Sequence, residues 1–487
     1  MLFRQLYDDA LAQASYLIGC QRTGEALVID PERDIDRYID AARREGLRIT
    51  AVAETHIHAD FLSGARELAE VTGATLYLSG MGGEEWNYRW LDAHSNGGSY
   101  PHHLLHHDQT FSVGNIDFRA LHTPGHTPEH MSFVVTDRGA GASEPLGVAT
   151  GDFVFVGDVG RPDLLESAAG QSGAAEPAAR RLFESLELFN TFPEYMQVWP
   201  GHGAGSACGK ALGAIPQSTV GYERRTNNAI AMAAKGERPF VDDVLAGQPA
   251  PPTYFARMKR ENRDGPALLG GLPHPALLDA DALLHRAAGI MVVDTRPFDQ
   301  FAERHLRGSI QIPLNRTFAT LAGSYIDPAA AVIVVCESDR VDEAVRMLVR
   351  VGIDNVVGHA TPATLESLLE NHPESTAHID RIDAATFLRD VLPTDPMILD
   401  VRNRAEFASG HFENAHLIPH TQLASGVGSL PHDRTIYLHC QSGIRSAVAS
   451  AYLHAAGFNL VEVTGGMNAL RREGAPLVEG EAVMESR

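Results

Sequence analysis

"THIHADF" (residues 55–61) ends a run of β-forming residues, "ITAVAET" (49–55), and precedes a helical pattern. Two histidines and an aspartate, each two residues apart, therefore leave a strand end on one short loop, where sites are usually built. Residues of these types suit a Zn, Fe or Mn ion. The seventh residue, Phe61, cannot coordinate a metal. How many ions the loop serves depends on what else the chain brings to it.

Outward from this loop, residues 1 to about 235 alternate β-rich runs with helical patterns and Gly/His/Asp-rich loops. "EALVID" (25–30), "ATLYLSG" (74–80), "IDFRALHT" (116–123), "MSFVVTD" (131–137) and "GVATGD" (147–152) read as further strands. Three more loops carry ligand-type side chains: His126 in "HTPGHTPEH", Asp152 in "TGD" and His202 in "WPGHG". Their Gly and Pro residues make tight turns that hold a side chain at a strand end. Any one such histidine reads as a solvated or capping residue; the ordered set points to a metal site. The His-rich stretch "PHHLLHHD" (101–108) lacks such a constellation and reads as solvated loop.

The four stretches together resemble the ordered metal motifs of the metallo-β-lactamase superfamily, whose αββα sandwich is then the implied fold for residues 1–246. Two-zinc hydrolases of that fold need a histidine where Phe61 stands. The resemblance narrows to the persulfide dioxygenases of the superfamily, whose one Fe(II) per domain is held by the positions of His56, His126 and Asp152. Two histidines and a carboxylate on one face leave positions open for O₂ and a sulfur ligand. His58, Asp60 and His202 would then orient ligands and waters without binding metal. "GDVGRPDL" (157–164) resembles the GRxD stretch of these enzymes, which implies that Arg161, with Asp163, holds the carboxylate of the thiol carrier. On residues alone, Arg161 and Asp163 could equally pair with each other across the turn.

"GQPAPPTYFARMKRENRDGPALLGGLP" (247–273) marks a linker with one short helix, "YFARMKREN". Beyond it the chain repeats itself. "DTRPFDQFAERHLRGSIQIP" (294–313) matches "DVRNRAEFASGHFENAHLIP" (400–419), with Asp294/Asp400, Arg296/Arg402, Phe301/Phe407, His305/His411 and Pro313/Pro419 at equal offsets. Each copy runs on into a strand that ends in cysteine and is followed by a helix. In "CQSGIRS" (440–446), Gln441, Ser442, Gly443, Ile444 and Ser446 offer a loop of backbone N–H groups as an anion-binding nest, and the helix N-terminus adds positive potential. Both favour a thiolate at Cys440, and Arg445 could hold a sulfur oxyanion. This loop resembles the rhodanese active loop CxxGxRS, which implies that Cys440 is a nucleophile carrying a persulfide. In "CESDRVDEA" (336–344), Asp339, Val341 and Asp342 replace the Gly, Arg and Ser. Added carboxylates oppose a thiolate, so residues 274–372 read as an inactive rhodanese-like domain and 378–482 as the active one.

The length suits about three domains at roughly 150 residues each. A formal net charge of −22 argues against nucleic acid or an anionic membrane as partner. No apolar run is long enough to span a bilayer. Arg4, Asp8 and Asp9 interrupt the N-terminal stretch, which does not read as a signal peptide. Cys20, Cys208, Cys336 and Cys440 are too few and too dispersed for a disulfide framework, which suits a reducing cytoplasm. Cys20 and Cys208 read as small buried residues, with a redox role as the alternative. A cytoplasmic homo-oligomer is expected. It would oxidise a low-molecular-weight thiol persulfide such as glutathione persulfide with O₂ to sulfite. Sulfane sulfur would pass between sulfite and thiosulfate through Cys440, in either direction. The alternatives are a glyoxalase II-type thioester hydrolase with rhodanese appendages and a non-catalytic sulfur-relay protein.

Overall fold

The computed structural model describes residues 1–168 and 170–480, so the last residues of the 378–482 span lie outside the described residues. The chain forms two compact units, Met1–Leu272 with Val349–Gly352, and Pro273–Leu348 with the chain from Ile353 onward.

The first unit contains β1 (Leu2–Asp8), β2 (Gln13–Cys20), β3 (Glu25–Ile29), β4 (Arg48–Ala53), β5 (Thr75–Ser79), β6 (His102–Leu105), β7 (Thr110–Val113), β8 (Ile116–His122), β9 (Met131–Asp137), β10 (Gly147–Gly151), β11 (Gln197–Pro200) and β12 (Ser218–Thr219). Strands β1 to β6 make one sheet in chain order, and β12 to β7 make the other. Apolar residues of the two inner faces meet in one core, among them Tyr16, Leu27, Ala51, Phe118, Phe133 and Trp199. The outer face of the first sheet buries Val28, Val52 and Leu76 against Tyr38, Ala42 and Leu68 of the helices Asp36–Arg44 and Ala65–Thr72. The outer face of the second sheet is covered by Ala175–Phe189 and Glu237–Leu245 through Leu182, Leu186, Phe240 and Val241. The result is a four-layer α/β/β/α sandwich, as the resemblance implied.

Each strand read from the sequence is present within a residue or two. The His-rich stretch 101–108 is a correction. His102–Leu105 is β6, an edge strand paired parallel to β5, and His103 stacks on Tyr77 at 5.2 Å. Backbone pairing to β5 outweighs the polar composition at a sheet edge, where one face and one side stay wet.

The second unit holds two parallel sheets. Met291–Asp294, Ile310–Gln311, Val332–Val335 and Val356–Ala360 form the first, and five strands around Met397–Asp400 and Ile436–His439 form the second. The internal repeat has a structural cause. Asp294 and Arg296 pair through Nε and Nη2, and Asp400 and Arg402 pair in the same way, all four buried. His305 stacks on Phe301 at 4.0 Å and bonds its carbonyl, and His411 does the same on Phe407 at 3.7 Å. The shared residues are thus the staples of each strand-to-helix connection. No helix among the described residues is long and apolar enough to cross a membrane.

Candidate functional site

The loops that follow β4, β8, β10 and β11 converge at one rim of the sandwich, because these strands end there. They bring His56, His126 and Asp152 together, with one ligand atom from each within 4.8 Å of the others and all three buried. His126 Nε2 lies 3.5 Å from Asp152 Oδ2. Both carboxylate oxygens of Asp152 are buried and have no hydrogen-bond partner among the described residues. A buried carboxylate left so is costly unless a cation completes it.

The neighbours fix which ring nitrogens face the centre. Thr55 Oγ1 donates to Asp30 Oδ2 at 2.8 Å, so at 2.9 Å it accepts from His56 Nδ1–H. His126 Nδ1 donates to the carbonyl of Arg161 at 3.1 Å. Each hydroxyl or carbonyl thus commits Nδ1 as donor and leaves Nε2 with a free lone pair, the form that binds a metal. Burial holds His56 well below the usual histidine range, helped by the neighbouring imidazoles, and holds His126 below it against the pull of Asp152. Neutral imidazoles are the ligating form. Asp152 is held in turn by His130, whose Nε2 accepts from the Asp152 N–H at 3.0 Å while Nδ1 meets Thr123 Oγ1.

His58 is turned away. Its Nε2 lies 3.3 Å from Asp30 and 3.5 Å from Glu54. Burial alone would keep it neutral, but the Asp30 and Glu54 carboxylates outweigh burial and push it up to about 10. With Asp30 and Glu54 it forms a buried donor group apart from that of His56, His126 and Asp152. It anchors Asp30, and through Thr55 the ring of His56. Phe61 is fully buried with its ring 4.4 Å from that of His58. Asp60 and His202 meet on the other side of Asp152: His202 Nε2 lies 3.3 Å from Asp60 and 3.5 Å from Asp152 Oδ1. Cys208 joins Asp60 and His202 in a second buried donor group, with its thiol pushed well up by burial.

Gly151, just before Asp152, has a φ of 49°, and a Cβ there would meet Thr55 and His130 at 2.6–2.8 Å. Only glycine lets β10 turn so close to the ligand loop.

Arg161 is fully buried. Its guanidinium donates to both oxygens of Asp163 at 3.0 and 2.7 Å, to the Ala207 carbonyl at 2.9 Å and to the Pro249 carbonyl at 2.7 Å. Of the two roles open in the sequence, pairing with Asp163 is the one the fold displays. Because the Arg161 carbonyl also takes the His126 Nδ1 proton, this residue steadies a ligand.

Three contributors escaped sequence reasoning. Asp30 and His130 lie in stretches already quoted, but only packing reveals their partners. Asn262, near the end of the linker helix Phe255–Asp264, is 3% exposed. Its Nδ2 donates to the carbonyls of His58 at 2.8 Å and Phe61 at 2.7 Å, and its Oδ1 accepts from the Ser63 N–H at 2.9 Å. One side chain thus clamps the back of "THIHADF". A polar residue on a short helix gives no sequence signal for this.

In the second unit, Cys440 follows the strand Ile436–His439 and is buried. Gly443, at φ 101°, turns the loop so that its N–H donates to Cys440 Sγ at 3.1 Å, and the helix Ile444–Ala455 begins there. Ser446 Oγ reaches the Gly443 carbonyl and Glu462, each at 3.1 Å, and Gln441 bonds Asn468 at 2.7 Å. Ser442, Gly443 and Ile444 line a cavity of about 500 Å³ that Glu462 also borders. Arg445 is engaged by Glu406 through both carboxylate oxygens. In the first copy, Cys336 is buried at its strand end, and burial pushes its thiol up to about 11.

Known proteins resemble this chain in sequence and fold. The crystal structure of a metallo-beta-lactamase from Staphylococcus aureus is 42% identical, covers 74% of this chain and 99% of its own, and superposes with a TM-score of 0.65. The chain belongs to the metallo-beta-lactamase superfamily. That superfamily's description matches residues 8–202, and the rhodanese-like domain description matches 278–359 and 384–473. ETHE1 from Myxococcus xanthus is 28% identical over 54% of this chain and 98% of its own, with a TM-score of 0.41. A beta-lactamase hydrolase-like protein of Xylella fastidiosa is 26% identical over 46% of this chain, which spans 51% of that relative's length. A probable zinc-dependent hydrolase, BaeB of Bacillus velezensis, is 23% identical over 45% of the chain and 84% of its own. Membership in the superfamily implies a divalent metal, for which His56, His126 and Asp152 form one of three buried candidate donor groups, and the two domain types together indicate an enzyme.

Proposed function

We propose that the first unit oxidises the terminal sulfur of a low-molecular-weight thiol persulfide with O₂ at one Fe(II), and that the second moves sulfane sulfur through Cys440. One persulfide, one O₂ and one water would give one thiol, one sulfite and two protons. The observation that carries this reading is the buried set His56, His126 and Asp152, with His58 drawn away to Asp30 and Glu54 and Phe61 packed against it. Two neutral imidazoles and a carboxylate suit ferrous iron with open positions. When bound, the iron supplies the place where O₂ and a persulfide sulfur meet. The protein's part is to hold Nε2 of His56 and His126 toward the centre, through Thr55 and the Arg161 carbonyl, and to keep the pocket dry with Phe61. Arg161 supports that geometry through its carbonyl.

A glyoxalase II-type thioester hydrolase is the second reading, favoured by the Asp60, His202 and Cys208 group beside Asp152. A second ion there would make a dinuclear centre. Metal analysis and an oxygen electrode with glutathione persulfide decide between them. The dioxygenase predicts one iron, oxygen uptake abolished by His56→Ala, and uptake retained in Cys440→Ser, which loses only sulfur transfer. Two zinc ions and no oxygen uptake after iron reconstitution would sink it.

A further inference from the structure

Thiosulfate and sulfite are dianions, and a cysteine that exchanges sulfur with them needs a cation beside it. Two arginines beside the Cys440 loop are committed. Arg402 is buried on Asp400 and the Gly410 carbonyl, and Arg381 bridges Asp299 and Glu462. Arg445, in the loop itself, presents its two-pronged edge to Glu406, with Nη1 and Nη2 at 2.7 and 2.6 Å from the two carboxylate oxygens. Both side chains are about a quarter exposed, at 26% and 27%, so solvent species reach them. Glu406 is set there by its own helix: its N–H donates to Asn403 Oδ1 at 2.8 Å, and Oε2 accepts the Asn403 N–H at 3.0 Å. This capping box fixes the carboxylate before any ligand arrives. A carboxylate held two-pronged by arginine occupies the donors that a sulfur oxyanion would use.

Building on the assignment of Cys440 as the sulfur carrier, we propose that Glu406 is the internal occupant of an oxyanion subsite at Arg445. It therefore sets which sulfur species exchange with Cys440. Thiol persulfides, whose reacting sulfur needs no guanidinium, exchange readily. Thiosulfate and sulfite must first displace the Glu406 carboxylate. The exchange itself balances without a co-reactant. The Cys440 thiolate attacks the outer sulfur of thiosulfate, the S–S bond breaks, and sulfite leaves with its electron pair. A Cys440 persulfide anion remains, and sulfite reverses the step.

The test compares the full chain with Glu406→Gln, which keeps the acceptor for the Asn403 N–H and removes the charge. Persulfide on Cys440 is read by mass spectrometry; the kinetics come from sulfite release with thiosulfate as donor, and from glutathione release without O₂ with glutathione persulfide as donor. The KM for thiosulfate should fall about three- to tenfold, the range of a partly exposed ion pair removed as competitor. Kinetics with glutathione persulfide should stay within about twofold. The gain should vanish when Arg445→Gln is added. Glu406→Asp, too short to span both nitrogens, should lower the same KM and serves if the first variant is unstable. An unchanged or raised thiosulfate KM, an equal fall for both donors, or a gain that survives loss of Arg445 overturns the proposal. If the wild-type chain never loads Cys440 from either donor, the sulfur-transfer reading falls with it. If loading occurs and only the Glu406 results fail, that reading stands.

Discussion

Asn262→Ala should unseat the metal loop. The side chain supplies two donors and one acceptor to backbone groups of His58, Phe61 and Ser63 in a site 3% exposed. Truncation leaves three buried groups unpaired. At about 1–3 kcal/mol for each, and with some water entering the space, the loss is about 3–6 kcal/mol. Against a total of about 5–15 kcal/mol, this consumes a large part of the unit's stability. The three tryptophans, Trp86, Trp90 and Trp199, all lie in the first unit, so their fluorescence in urea reports this unit alone. Iron content after reconstitution should fall together with the urea midpoint. Asn262→Asp should cost at least as much, because it sets a carboxylate oxygen against the carbonyls of His58 and Phe61. Cys440-dependent sulfur transfer should be unaffected in folded protein. A loss under about 1 kcal/mol with iron occupancy intact would refute the clamp.

Phe61→His places a second polar ring against His58 in a dry pocket. It should destabilise the first unit by about 1–3 kcal/mol without raising oxygen uptake, whereas a gain of thioester hydrolysis with two bound zinc ions would favour the hydrolase. With its thiol pushed up to about 11 by burial, Cys336 should be about one part in a thousand thiolate at pH 8. The thiol form predominates below that value, so alkylation by iodoacetamide should climb about tenfold per pH unit and level off only near pH 11. Rapid labelling of Cys336 at pH 7 contradicts its assignment as inert. Cys336→Ser should leave sulfur transfer within about twofold of wild type, as measured with glutathione persulfide.

Much of this centre was legible in sequence because its ligands sit on glycine- and proline-rich turns at strand ends, and turn chemistry is local. His56, His126 and Asp152 were singled out of that ordered set by the resemblance to the persulfide dioxygenases. The division of labour between His56 and His58 was implied by the same resemblance, but its physical cause was not legible, because it rests on Asp30, brought alongside by β3, and on Glu54. The tie over Arg161 was likewise open until burial and the carbonyls of Ala207 and Pro249 entered. β6 was misread because four histidines mask a strand whose pairing comes from β5. The repeat in the second half was readable as a repeat. That its shared Asp, Arg, Phe and His are staples, with the chemistry confined to the loop at Cys440, emerged only from the ion pairs and ring stacks. Glu406 was invisible for the same reason: nothing in "RNRAEFASG" announces a partner at Arg445.

The clamp by Asn262 bears on how such a gene can be taken apart. The superfamily match ends at residue 202, yet a side chain sixty residues further on holds the loop that carries the first ligand. A fragment cut at the family boundary would keep every ligand and lose the brace behind them. Recombination that swaps tails between relatives must therefore carry the linker helix along with the sandwich. The heritable module is longer than the recognisable domain, and a comparison confined to that domain leaves out a position that helps hold the centre.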